Sequence, residues 1–198
     1  MRIDCDEAGI ELAYKAVVEG KVIIFPTDTI YGIGCDPYNW DAVKKIYKIK
    51  SREESKLLPV LAYSKDLAST VANLDKDAEK LADRFWPGPL TIIIKVTDQT
   101  LKRNLNLGEK IALRVPNNNC ALSLLSRCRF LVGTSANVSG QKPYNNPSEC
   151  YQNMSGFDLF LDGGNVSGVQ STIVEIDNCR IEIRREGSLA REEIMSAL

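Results

Sequence analysis

Residues 21–36, KVIIFPTDTIYGIGCD, join an apolar run to a segment of hydroxyls, a carboxylate and glycines. KVIIF reads as a buried strand, because four consecutive apolar, largely β-branched residues suit a position covered on both faces. Pro26 stops it. Thr27, Asp28, Thr29 and Tyr31 then stand where a core strand has no packing need for polar groups. PTDT also suits a turn in which Asp28 bonds its own backbone.

Outward from this stretch, helical and strand patterns alternate with short connections, which predicts an α/β fold. A helix is expected over residues 6–19, with acids in its first turn and Gly20 as its stop. DAVKKIYKI (41–49) and DKDAEKLADRF (75–85) carry apolar residues at helical spacing. LPVLAY, LTIIIKV, IALRV, FLVGTSAN, DLFLDGG, STIVEI and RIEIRREG read as strands, NCALSLLSR and the terminal AREEIMSAL as helices. WPGP reads as turn chemistry, with Trp86 a core or rim aromatic. The later strands follow one another without long crossovers, so the expected sheet is twisted and mixed, within one domain over residues 1–198.

The 198 residues are 44% hydrophobic, enough for one sizeable core. Twenty-five Lys and Arg nearly balance 26 Asp and Glu, so no global basic field marks a nucleic-acid or membrane partner. The acidic N-terminus and the absence of a spanning apolar run lead to a cytoplasmic expectation. Six cysteines lie far apart without a C-x-x-C pair, and in a reducing compartment they are expected to be free thiols. There is no histidine. That removes Ser-His-Asp and Cys-His nucleophiles, H-E-x-x-H zinc chemistry and the commonest neutral-pH base.

Two further stretches repeat the oddity of residues 25–36. KIKSREESK places Lys50, Arg52 and Lys56 past a helix. VGTSANVSG places Thr134, Ser135, Asn137 and Ser139 past a strand. In extended backbone, period two sets Lys50 with Arg52 on one face and Ser135 with Asn137 on another, a donor set able to converge on one ligand. Each also has a plainer account: lysines complement a helix dipole, SANVSG makes an ordinary capped loop, and Arg114 sits on the wet face of a half-buried strand. No Walker loop is present, and GIGCDP lacks the third glycine of a dinucleotide fingerprint.

In order, these pieces resemble the YrdC/TsaC family of threonylcarbamoyl-AMP synthases. FPTDTIYGIGCD is similar to its P-T-[DE]-T-x-Y-G-[LI]-G signature, KSR to its K-x-R, WPGPLTIII to its W-P-G-P-[LV]-T, ALRVP to its R-x-P strand, TSAN with SG to its S-x-N motif, STIVEI to its S-T-[IV]-[VI]-[DE] strand and RREG to its R-x-G end. The resemblance implies a mixed α/β fold with a basic concave surface. It implies an enzyme that joins L-threonine, bicarbonate or CO2 and ATP into threonylcarbamoyl-AMP and pyrophosphate, for tRNA modification. Lys50 and Arg52 are then the expected catalytic charges. Arg52, Lys56, Ser135, Asn137 and Arg185 face the nucleotide, and Thr29, Arg114 and Ser171 hold threonine. Mg²⁺ comes with the ATP, and no protein metal site is expected. Further implied partners are tRNA or double-stranded RNA and downstream threonylcarbamoyl-transferase proteins.

Such chemistry accommodates a chain without histidine. An amine and CO2 form a carbamate unaided, and its attack on the α-phosphorus depends on alignment and fixed charge. The glycine-rich DGGNVSGVQ suggests a loop closing over ligand. Departures are SREESK where R-P is common after the lysine, REG for R-P-G, and Leu61 where some members carry a histidine. The expectation is the family's short, single-domain form. Rival functions are a carbamoyl-adenylate enzyme of hydrogenase maturation, a non-catalytic RNA-binding module, and an α/β domain with a vestigial site.

Overall fold

The computed structural model describes residues 1–177 and 180–198. The opening stretch forms β2 (Ile23–Phe25) and β3 (Gly32–Gly34), an antiparallel pair with Phe25 opposite Gly32. Ile23 and Phe25 face one apolar cluster and Ile24 the other, so the strand is buried on both sides, as its unbroken apolar run requires.

The strands divide between two mixed sheets rather than forming the single sheet expected. In the first, β1 (Arg2–Asp4), β9 (Leu159–Asp162), β2, β3 and β8 (Thr134–Ser135) lie in that order. The second runs β11 (Arg180–Arg185), β10 (Thr172–Asp177), β5 (Leu90–Lys95), β6 (Lys110–Arg114), β4 (Val60–Ala62), β7 (Phe130–Val132). Strands near in sequence split between the two. FLVGTSAN, read as one strand, breaks at Gly133 so that β7 joins the second sheet and β8 the first. A Cβ at Gly133 would collide with the Leu61 side chain at 2.4 Å, which explains the small residue at that crossing.

Helices α1 (Glu7–Val18) and α6 (Asn119–Cys128) cover one face of the first sheet, burying Ile10, Ala13, Val17, Ala121, Leu124 and Leu125 against Ile23, Phe25, Leu159 and Leu161. Asp6 caps α1 by accepting from the Gly9 N–H at 2.7 Å, and Asn118 caps α6 through Ala121 at 3.0 Å. On the other side, α2 (Trp40–Ile49) turns Ala42, Val43, Ile46 and Tyr47 into the larger core, and α4 (Lys76–Phe85) adds Ala78, Leu81 and Ala82. Three short helices were not evident in the sequence: α3 (Lys65–Ser69), α5 (Gln99–Asn104) and α7 (Pro147–Asn153). The terminal α8 (Arg191–Ser196) packs through Ile194.

Trp86 is buried and donates its indole N–H to the Leu90 carbonyl at 2.7 Å, with a cis peptide to Pro87. The cysteines are not all free thiols. Cys5 and Cys120, 115 residues apart, form a disulfide that ties the end of β1 to the first turn of α6. The Cys5 N–H donates to the Asp162 carbonyl at the end of β9 at 2.8 Å, and α6 packs beside α1 on the same sheet face, so the fold, not the spacing, brings the sulfurs together. Cys35, Cys128 and Cys150 are free, and Cys179 lies outside the described residues. Among the described residues, no helix is long and apolar enough to cross a membrane.

Candidate active site

Strand alternation builds a cavity between the two sheets. In β5, Ile92 and Ile94 point into the core, so Thr91 and Ile93 face the other way; in β6, Ile111 and Leu113 leave Ala112 and Arg114 on that same face. From the first sheet come Thr27 and Thr29 on the β2–β3 connection, then Gly32, Thr134 and Ser135. Ser171, just before β10, and Arg185, at the end of β11, close it. The enclosed volume is about 190 Å³. Pockets that hold drug-sized ligands run to roughly 300–1,000 Å³. This cavity therefore takes a small polar molecule whole and a nucleotide only in part.

Arg114 is 6% exposed and uses three of its five N–H donors within the protein: Nε donates to the Gly88 carbonyl at 3.0 Å, one terminal nitrogen to Thr29 Oγ1 at 3.0 Å, the other to Asp28 Oδ1 at 2.6 Å. Burial lowers its pKa and Asp28 opposes that shift. Asp28 also accepts from the Asn117 N–H at 3.1 Å, so its carboxylate bridges two strand ends rather than closing a local turn. Thr27 and Thr29 share a hydroxyl contact at 3.0 Å, as do Thr91 and Ser171. Arg185 donates to the Ser171 carbonyl at 2.8 Å and its hydroxyl at 3.2 Å. Burial and then the nearby Arg114 charge lower the Arg185 pKa, the mark of two guanidinium groups sharing one site. Gly187 makes that approach possible, since a Cβ there would meet the Gln170 carbonyl at 2.2 Å and Ser171 C at 2.6 Å.

Arg52 is the third guanidinium on the wall. One terminal nitrogen donates to the Leu57 carbonyl at 3.0 Å, while its buried Nε has no partner. Three cations thus face the cavity, and among the described residues Asp28 is the one carboxylate paired with any of them. An anion fits that excess charge.

Of the residues singled out in the sequence, Thr29, Arg52, Arg114, Ser135, Ser171 and Arg185 line this cavity. Lys50, Lys56 and Asn137 do not. Lys50 is the αR cap of α2 and Ser51 follows at φ 48°, so the chain is not extended there and Lys50 and Arg52 point apart. Lys56 is an exposed residue near Glu53. Asn137 leaves extended geometry immediately after β8, its N–H turning back to the Ser135 carbonyl at 2.9 Å. Thr134, a candidate in VGTSAN, lines the cavity too, as do Thr27, Thr91 and Gln170, which lay inside the stretches PTDT, WPGPLT and DGGNVSGVQ without being named as site residues; nothing marked Asp28 as the partner of Arg114. The 163–170 loop is docked on the site: the Gly168 N–H donates to the Thr29 carbonyl at 2.7 Å, and Tyr31 Oη to the Gly164 carbonyl at 2.8 Å. Among the described residues, no cluster of three or more Asp, Glu, Cys or His forms a metal site.

Fold and cavity together define a two-sheet α/β protein with an inter-sheet pocket of hydroxyl and guanidinium groups, built for a small anionic ligand. The Sua5/YciO/YrdC family model, described as "Telomere recombination", matches residues 15–187, and the chain belongs to that family. It is 32% identical over 194 residues to the threonylcarbamoyl-AMP synthase of Pyrococcus abyssi, covering 96% of this chain and 57% of that protein. A crystal structure of P. abyssi Sua5 complexed with L-threonine superposes with a TM-score of 0.92 at 29% identity, over 100% of this chain and 61% of the other. E. coli YciO matches with a TM-score of 0.89 at 25% identity, over 98% of both chains. The chain thus spans somewhat over half the length of its P. abyssi relative.

Proposed function

We propose that this chain is an L-threonylcarbamoyl-adenylate synthase, a nucleotidyltransferase acting on L-threonine, bicarbonate or CO2, and ATP. The observation that carries the reading is the cavity wall itself: the hydroxyls of Thr27, Thr29, Thr91 and Ser171, and three guanidinium groups of which Arg114 alone is paired with a carboxylate, Asp28, which does not line the cavity. Its similarity to a synthase and to a threonine-bound structure supports the same substrate.

Arg114, with Thr29 and Ser171 beside it, receives the threonine carboxylate, for which a fixed planar fork is suited. The amine, unprotonated, attacks CO2, forming the N–C bond as one C=O π pair moves onto oxygen, and the N–H proton passes to solvent. A carbamate oxygen then attacks the α-phosphorus; that P–O bond forms as the bond to the β-phosphoryl oxygen breaks, and pyrophosphate leaves with the electron pair. Arg52, with an unpartnered Nε, and Arg185 neutralise charge on the phosphates, and the Ser135 hydroxyl donates to them. Adenosine extends out of the cavity mouth, past Lys56. The cavity wall carries no carboxylate, so Mg²⁺ arrives as part of the nucleotide complex, held by phosphate oxygens. The product serves tRNA modification through a transferase, and the protein works in the cytoplasm.

The test is pyrophosphate release from ATP, Mg²⁺ and bicarbonate with and without L-threonine. Threonine-dependent release is expected. Release indifferent to threonine, or none from folded protein, overturns the reading.

A further inference from the structure

The largest departure from expectation concerns Lys50. Its side chain is 1% exposed, and Nζ donates to the Ser135 carbonyl, to the Asn137 carbonyl at 2.8 Å and to Asn137 Oδ1 at 3.3 Å. An ammonium has three donors, and all three are taken by the protein. The Lys50 backbone carbonyl in turn accepts from the Ser139 N–H at 2.9 Å. Asn137 is saturated as well: Oδ1 meets Lys50, while Nδ2 donates to the Val138 carbonyl at 3.1 Å and the Gln141 carbonyl at 2.6 Å. One residue at the end of α2 therefore grips residues 135–139 at several points, and the residue it grips first, Ser135, is the one on the cavity wall.

We propose that Lys50 is a positioning residue: with Asn137 it forms a buried clamp that holds the 134–141 turn and thereby presents Ser135 to the phosphate end of the cavity. The alternative, direct contact with substrate, requires Nζ to give up carbonyl partners in a dry environment, where an unmade bond is costly. Arg52, two residues on, faces the cavity with a free buried N–H and needs no such exchange. The assignment to the phosphate end rests on the proposed function; the clamp itself does not.

The test is Lys50→Met, which keeps the stem and removes the donors. Hydrogen exchange on the ligand-free protein is expected to show faster exchange in residues 134–141, with β5 and β6 unchanged. In the pyrophosphate assay the ATP KM rises about tenfold, the equivalent of one lost charged hydrogen bond, while the threonine KM stays within about twofold. A general loss of folding would move both. Lys50→Met combined with Ser135→Ala is expected to be no worse than the more damaged single variant, because the two act through one contact. Unchanged exchange in residues 134–141, or losses that multiply in the double variant, overturns the proposal in favour of direct substrate contact. Should Lys50→Met fold poorly, Asn137→Ala removes the other half of the clamp and must give the same local exchange signature. Absence of threonine-dependent turnover in the unmodified protein would refute the synthase reading, while the exchange experiment still decides the clamp.

Discussion

Replacing Arg114 with methionine removes three hydrogen bonds at once, to Gly88, Thr29 and Asp28, and strands the Asp28 carboxylate, whose side chain is 14% exposed. Breaking a buried ion pair from one side costs about 3–5 kcal/mol, because the remaining charge stays desolvated. For a chain of this length each kcal/mol lowers Tm by about 2–4 °C, so Arg114→Met should melt about 6–20 °C lower. Adding Asp28→Asn removes the stranded charge and should recover most of that loss. It should not recover threonine recognition. Losing a charge-assisted hydrogen bond to a carboxylate is worth about 1.5–3 kcal/mol, or about ten- to a hundredfold in threonine KM. Differential scanning fluorimetry and threonine-dependent pyrophosphate release on wild type, Arg114→Met and the double variant separate the two effects. If the double variant regains both its Tm and its threonine KM, Arg114 is a structural staple only and the substrate assignment fails.

Reduction of the Cys5–Cys120 bridge frees a long span of chain in the unfolded state and is expected to lower stability by about 2–4 kcal/mol; urea denaturation with and without dithiothreitol checks this, and an unchanged midpoint contradicts it. Gly187→Ala forces the β11 end away from Ser171, for about 1–3 kcal/mol of destabilisation and a raised threonine KM, both read in the assays above. Burial, helped by the neighbouring Arg52 charge, brings the Lys50 ammonium down from 10.5 to about 8. Between those values the unfolded chain holds a proton the folded one lacks, so this group makes stability rise with pH there and contributes no slope below the window. Urea denaturation from pH 7 to 10 should show wild type gaining on Lys50→Met as pH rises; a loss instead would mean that the carbonyl partners hold the proton on.

The sequence reading was most successful where one physical requirement dominated. VIIF is apolar throughout because β2 is buried on both faces, and LTIIIKV and IALRV, read as strands, are β5 and β6, although the face that carries Arg114 is the cavity wall rather than a wet surface. Glycines hid β3: GIG has poor strand propensity, yet Gly34 lies where a Cβ would meet the Val132 carbonyl at 1.9 Å, so close approach of backbones decided the residue. The division into two sheets was illegible because strand partners are chosen by long-range pairing, which periodicity does not record. At the site, individual hydroxyls and arginines were legible, but their direction was not. The extended-backbone argument paired Lys50 with Arg52, whereas a helix cap followed by a left-handed Ser51 sends one into the interior and the other to the cavity. Asp28 looked like a local turn residue because nothing in PTDT reveals Arg114, 86 positions later. Cys5 and Cys120 met for the same reason, through α1 and α6 packing on one sheet face.

The most direct test of the central claim is mass spectrometry of the protein incubated with ATP, Mg²⁺, L-threonine and ¹³C-bicarbonate, quenched early. The account predicts an adenylate that carries both threonine and the ¹³C label, formed with an equal amount of pyrophosphate. ATP consumed without a labelled threonine adduct, or an adenylate lacking the ¹³C, would contradict it.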